Sequence, residues 1–190
     1  MTIKIILASQ SPRRIELLKQ MGIECEQIPA DIDESVLANE TPADYVIRLA
    51  KQKALAVSLI AQNKQLAILA ADTTVVIDHI ILGKPTDDMD AYLMLKKLSG
   101  KSHTVFTAVA LFFKGEMTTA LNSTLVQMMP LSDAMIEAYI ASGEHSDKAG
   151  SYAIQGKAGC WIEKITGSYT GVMGLPMHET ALLLNKLKGF

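Results

Sequence analysis

Cysteine is almost absent from this 190-residue chain, which has only Cys25 and Cys160. Two residues so far apart form no disulfide scaffold and no metal-ligand spacing, so both are read as reduced core thiols of a cytoplasmic protein. No apolar run approaches the roughly 18 residues that span a bilayer. The opening stretch MTIKIILASQSP is too short in its apolar part for a signal peptide and carries no small-residue cleavage site. An excess of one charge is missing too: 18 Lys and Arg meet 20 Asp and Glu, for a net charge of -2 and a pI of about 6.1. That balance excludes a broad basic face for nucleic acid, yet a local cluster can still hold one nucleotide. Walker A, dinucleotide, HExxH, CxxC and GxSxG signatures are all lacking. So are internal repeats, low-complexity tracts and linkers.

What is present is a strong apolar pattern. Hydrophobic residues make up 49% of the chain and the mean hydropathy is +0.21, enough for one sizeable domain or two small lobes around a buried core. Residues 3–8 read as a buried strand. Ser11 is a candidate N-cap, Pro12 a natural first helical residue, and Gly22 the stop. A second strand at 24–28 leads into the acidic loop ADIDES, and TPAD opens a helix running to about residue 63, with Thr41 as cap and Asp44 completing a capping box. A strand ending near Asp72, another strand, a turn at Asp78-His79 and a third strand follow. Next come a helix stopped by Gly100, a long hairpin around Lys114-Gly115, a short helix capped by Ser132 and a glycine-rich stretch from 150 to 174. Pro176 starts the last helix, whose apolar positions are Ala181, Leu182, Leu184 and Leu187. Strands and helices intermix throughout, so the fold class is α/β with a mixed sheet that has antiparallel arms.

Polar residues gather where strands are expected to end. LASQSPRRIELL sets Arg13 and Arg14 at a helix start, where cations oppose the helix dipole. Either both arginines are solvated or an anion sits between them, because guanidinium forks hold phosphate bidentately. Lys53 lies on an apolar stripe, four residues from Leu49 and from Val57, and must snorkel or meet an anion. Asp72 follows an apolar run and is placed at a strand end, to cap a turn, hold Mg²⁺ or orient water. Lys84 in GKP is a second strand-end cation or a solvated one. Asp31, Asp33 and Glu34 form an acidic loop that is either solvated or, with Asp72, a source of oxygen ligands for Mg²⁺ or Mn²⁺. DKAGSYAIQG adds Asp147, Lys148, Tyr152 and Gln155, whose amide suits a base edge. The four histidines are isolated and receive no catalytic role, and Trp161 and the methionines are read as core. Cations, carboxylates and base-reading amides without a covalent nucleophile suit metal-assisted hydrolysis of a phosphoanhydride by water.

LASQSPRRIELL, ADTTVVID…GKP and DKAGSYAIQGKAGCWIEKITGSYTGVMGLP, in this order, resemble the Maf-like nucleotide pyrophosphatases over nearly the whole chain. The resemblance implies a single domain over residues 1–190 whose elongated mixed sheet forms two lobes around a central cleft, similar to the inosine triphosphate pyrophosphatases. It implies hydrolysis of a nucleoside triphosphate to the monophosphate and pyrophosphate with Mg²⁺, Mn²⁺ or Co²⁺. Carried onto this sequence, Asp72 is the proton-accepting aspartate and Glu34 helps it hold metal. Arg13, Arg14, Lys53 and Lys84 match the cationic set facing the phosphates, with Ser9 beside them, and Arg13, Thr73 and Gln155 occupy positions associated with specificity. Those three residues resemble the branch acting on dTTP and UTP; the 7-methyl-GTP branch has other residues there. Family members are also linked to septum formation, so the alternatives are a nucleotide-binding regulator of cell division and a 7-methyl-GTP pyrophosphatase. A homodimer is implied, with no nucleic-acid or membrane partner. Gln10 and Thr74 depart from the residues common in the family.

Overall fold

A computed structural model describes residues 3–187. The chain alternates between strand and helix as its apolar periods dictate. Strand β1 (Lys4–Leu7), helix α1 (Pro12–Gln20) and strand β2 (Glu24–Gln27) form a parallel unit, Lys4 in register with Glu24. Helix α2 (Pro42–Ile60) starts at Thr41, whose hydroxyl accepts from the Asp44 amide, and stops short of the expected residue 63. Strands β3 (Ala67–Ile77) and β4 (Ile80–Leu82) turn at Asp78 and His79, both at positive φ. Helix α3 (Asp88–Leu98) precedes the long hairpin of β5 (Ser102–Phe113) and β6 (Glu116–Met128). Helix α4 (Asp133–Ile140), two 3-10 turns, strand β7 (Ile162–Thr166) and helices α5 (Tyr169–Met173) and α6 (Met177–Leu184) complete it.

The sheet has seven strands in the order β2-β1-β3-β5-β6-β7, with β4 also on β3. Strand parity sends neighbouring residues to opposite faces. Ile5, Leu7, Leu69 and Ala71 pack with Leu17, Leu18, Leu183 and Leu184 of α1 and α6. Ile6, Ala8, Ile68 and Ala70 pack with Val46, Leu49, Ala54 and Val57 of α2. A third cluster, including Val75, Leu95, Leu98, Ile136 and Trp161, closes the other end of the sheet. Among the described residues no helix is long and apolar enough to cross a membrane.

The decisive feature is the edge of β3. Along one side it pairs with β5 from Ile68 to Val76. On the other, β1 covers only Ala67–Leu69 and β4 only Val75–Ile77. Residues 70–74 therefore face a gap between the two partners. This corrects the reading of Asp72 at a strand end between two strands: one continuous strand runs through it, because β5 supplies uninterrupted pairing on the far side.

Other expectations also change. Cys160 is exposed and Cys25 only half-buried, so they are not core thiols. Leu182 is exposed, and the inward positions of α6 are Thr180, Leu183 and Leu184. In α3, Met89 and Leu93 are exposed while Ala91, Leu95 and Leu98 face inward. Gly150, in the 3-10 turn Ala149–Ser151, sits at φ 68°, and any Cβ there would meet the Val75 side chain at 2.8 Å. That close approach lets its amide donate to the Gly83 carbonyl at 3.0 Å, closing the rim beside Lys84.

Candidate active site

The gap in the β3 edge opens into a cleft of about 340 Å³. Ser9, Arg13, Arg14, Glu34, Lys53, Asp72, Thr73, Lys84 and Gln155 all line it. Residues spread over most of the sequence thus meet on one surface. Asp31 and Asp33 of the acidic loop are not among the lining residues. Asp33 instead accepts from the amide and hydroxyl of Ser35, which folds the loop on itself and turns Glu34 inward.

Parity decides what Asp72 and Thr73 meet. Asp72 lies on the α2 face, where Lys53 Nζ donates to its Oδ1 at 2.6 Å and also lies 2.7 Å from Glu34 Oε1. The lysine on the apolar stripe therefore meets two carboxylates. Burial pushes the Asp72 carboxyl above its ordinary value, although Lys53 and Arg14 oppose the shift. For Glu34, burial raises the carboxyl as well, but the Lys53 hydrogen bond and charge outweigh it and the net direction is down. Two carboxylates around one ammonium are thereby held apart in acidity. Tyr45 of α2 donates its hydroxyl to the Glu34 carbonyl at 2.9 Å, and burial next to Asp72 and Glu34 raises it to about 12.

Thr73 lies on the opposite face, toward α1. There Arg14 is held from three directions: Nε donates to the Gly174 carbonyl at 2.8 Å, Nη1 to Ser9 Oγ at 3.0 Å and Nη2 to Thr73 Oγ1 at 3.3 Å. Burial lowers its pKa, with Asp72 opposing, yet a guanidinium remains charged at neutral pH. Three of its five N–H groups are used, leaving two for a ligand. Ser11 does not cap α1 with its side chain. Instead Ser9 Oγ accepts from the Ser11 amide at 3.1 Å as well as from Arg14, and the Arg14 amide donates to the Ser11 carbonyl at 3.2 Å. Arg13 is more exposed and reaches Asp147 Oδ2 at 3.4 Å across the mouth. Lys148 also contacts Asp147. The Asp147 carboxyl is held low: burial raises it, but Lys148 and Arg13 outweigh that. Lys84 and Gln155 are exposed at the rim.

Tyr45, Thr107 and Gly174 were not singled out from sequence. Tyr45 and Thr107 carried one weak signal, a polar atom inside an apolar stretch; Gly174 acts through its carbonyl, which no residue type reveals.

The carboxylates of Glu34 and Asp72 are hard oxygen donors suited to Mg²⁺ or Mn²⁺. No group of three or more His, Cys, Asp or Glu is placed to hold a metal among the described residues. An ion here would take its remaining ligands from phosphate oxygens and water, the usual habit of Mg²⁺.

The profile of the family described as Maf-like protein matches residues 4–187. A Shewanella sp. (strain MR-7) protein named dTTP/UTP pyrophosphatase is 51% identical over 188 residues, covering 96% of this chain and 97% of that one. A Chromobacterium violaceum protein of the same name is 54% identical over 184 residues, covering 95% and 93%. Among solved structures, the Staphylococcus aureus Ham1 protein aligns with a TM-score of 0.44 at 13% identity, over 66% of this chain and 71% of that one. With a profile match over nearly its full length and relatives at half identity, this chain belongs to the Maf-like family.

Proposed function

We propose that the chain hydrolyses dTTP and UTP to the monophosphate and pyrophosphate, with a divalent metal ion. The observation that carries this reading is one cleft that joins Arg14, Lys53 and Lys84 to the carboxylates of Asp72 and Glu34. The names of relatives at about half identity support the substrates.

Charge supports it as well. Arg13, Arg14, Lys53, Lys84 and Lys148 line the cleft against Glu34, Asp72 and Asp147. The positive excess is roughly two, close to what a triphosphate carrying one divalent ion brings with opposite sign.

In this reading Arg14 and Lys84 hold the phosphates. Asp72 Oδ1 is occupied by Lys53, so Oδ2 accepts the proton of the attacking water. Burial supports that task, because a carboxylate pushed upward is a better base than an exposed one. Lys53 keeps the carboxylate ionised and fixes its rotamer. Glu34 and Asp72 would hold Mg²⁺, Mn²⁺ or Co²⁺, which supplies charge neutralisation on the phosphates. Arg13, Thr73 and Gln155 surround the nucleotide as specificity residues, and a glutamine amide matches part of a uracil or thymine edge. A single two-lobed domain, a homodimer and a cytoplasmic nucleotide pool go with this function on the family resemblance.

Pyrophosphate release from dTTP, UTP and 7-methyl-GTP, measured with each metal, tests the proposal. Hydrolysis of the pyrimidine nucleotides is expected, falling by about 10²-fold or more in Asp72→Asn. Parental turnover in that variant would remove Asp72 from catalysis, and a flat response across substrates would remove the branch assignment.

A further inference from the structure

Thr107 is a hydroxyl in the most deeply buried part of β5, next to Ala108 and Val109, and only 1% exposed. A hydroxyl in such surroundings is destabilising relative to an isosteric valine unless its hydrogen bonds are made. It is not a cleft-lining residue, so it touches no ligand. Its partners do. Thr107 stands in register with Thr73 across the β3–β5 pair. Its Oγ1 donates to the Gly171 carbonyl at 2.8 Å, and with its one proton spent there it accepts from Thr73 Oγ1 at 3.0 Å. That carbonyl already accepts from the Gly174 amide at 3.0 Å. Thr73 and Gly174 are two of the three groups that hold Arg14. Thr107 thus forms the back of the cradle around the buried guanidinium.

We propose that Thr107 is a positioning residue for the nucleotide site, acting through Thr73. A hydroxyl oxygen accepts two hydrogen bonds and donates one. Arg14 Nη2 donates to Thr73 Oγ1, and Thr73 gives its own proton to Thr107 Oγ1, whose proton is held by the Gly171 carbonyl. With its proton and one lone pair engaged, Thr73 turns its second lone pair to the cleft and meets the nucleotide as an acceptor for one of its N–H or O–H groups. Without the Thr107 hydroxyl, the Thr73 rotor is freed and Arg14 loses the rigidity of one anchor. The Gly171 carbonyl keeps the Gly174 amide, so the backbone of α5 stays satisfied. The inference rests on the triphosphate reading of the cleft.

The test uses Thr107→Val, which keeps shape and branching, and Thr107→Ser, which keeps the hydroxyl, each in the parent and in a Thr73→Val background. Steady-state pyrophosphate release from dTTP and UTP is measured together with the urea midpoint. Thr107→Val is expected to raise KM about three- to tenfold for both substrates, with kcat within about twofold. Thr107→Ser should restore the parental KM, and Thr107→Val should add nothing in the Thr73→Val background. A parental KM in Thr107→Val overturns the proposal, whether or not the urea midpoint falls. So does an equal rise in the Thr73→Val background, or a serine variant that fails to restore. Failure of the underlying reading shows separately, as parental activity in Asp72→Asn whatever the Thr107 variants do.

Discussion

Lys53 Nζ lies 2.6 Å from Asp72 Oδ1, joining the middle of α2 to the middle of β3 at the point where the sheet has no strand on that side. Both side chains are nearly buried, with exposures of 12% and 9%. The pair is held by charge in a site whose burial works against the ionised carboxylate.

That opposition predicts the effect of removing the lysine. Lys53→Met leaves burial unopposed by its nearest cation, so the Asp72 carboxyl moves further up. The base must be ionised to act, so the acid limb of the kcat/KM profile should shift to higher pH. At neutral pH kcat/KM should fall by about 10²-fold. An acid limb that stays in place would show that Asp72 is not the group being titrated.

The two arginines should separate. Arg14 is buried on three protein partners, whereas Arg13 stands at the mouth on Asp147. Arg14→Lys keeps the charge but loses the fork, so KM should rise about tenfold or more for dTTP and UTP alike. Arg13→Ala should instead change the ranking of substrates in the same pyrophosphate assay. Equal effects of the two variants across all substrates would remove the distinction.

His103 predicts a stability slope. It is buried on β5 with Nε2 2.7 Å from the Tyr152 hydroxyl, and burial lowers its pKa from 6.5 to about 4. Below the unfolded value the unfolded chain takes up a proton that the folded chain refuses. Stability is therefore lost as pH falls from 6.5 toward 4, by about 3 kcal/mol in all. Urea midpoints at pH 7, 5.5 and 4.5 should fall less steeply for His103→Gln, which can still accept from Tyr152. Parallel slopes would mean that His103 is protonated in the folded state.

Much of the site was legible before folding because its residues break local patterns. Lys53 on an apolar stripe, adjacent arginines at a helix start and a lone aspartate in an apolar run each violate a propensity that burial otherwise enforces. Thr107 broke the same kind of pattern within an apolar run, but threonine suits a strand, so its signal was faint. Gly174 acts through its main-chain carbonyl, which leaves no mark in side-chain chemistry.

Local periodicity and capping already specify which segments become strands and helices, because they depend on residues a few positions apart. They also specify which charged groups have no comfortable place in water or core. The gap in β3 is another matter. It exists because β1, paired with β3 from about sixty residues away, stops at Leu7, while the hairpin partner β4 already ends at Leu82 opposite Val75. Strand parity then points Asp72 at Lys53 and Thr73 at Arg14 from opposite faces, and the continuous pairing with β5 keeps both side chains in place. Long-range register, which no local pattern encodes, turns a scattered set of polar residues into one cleft.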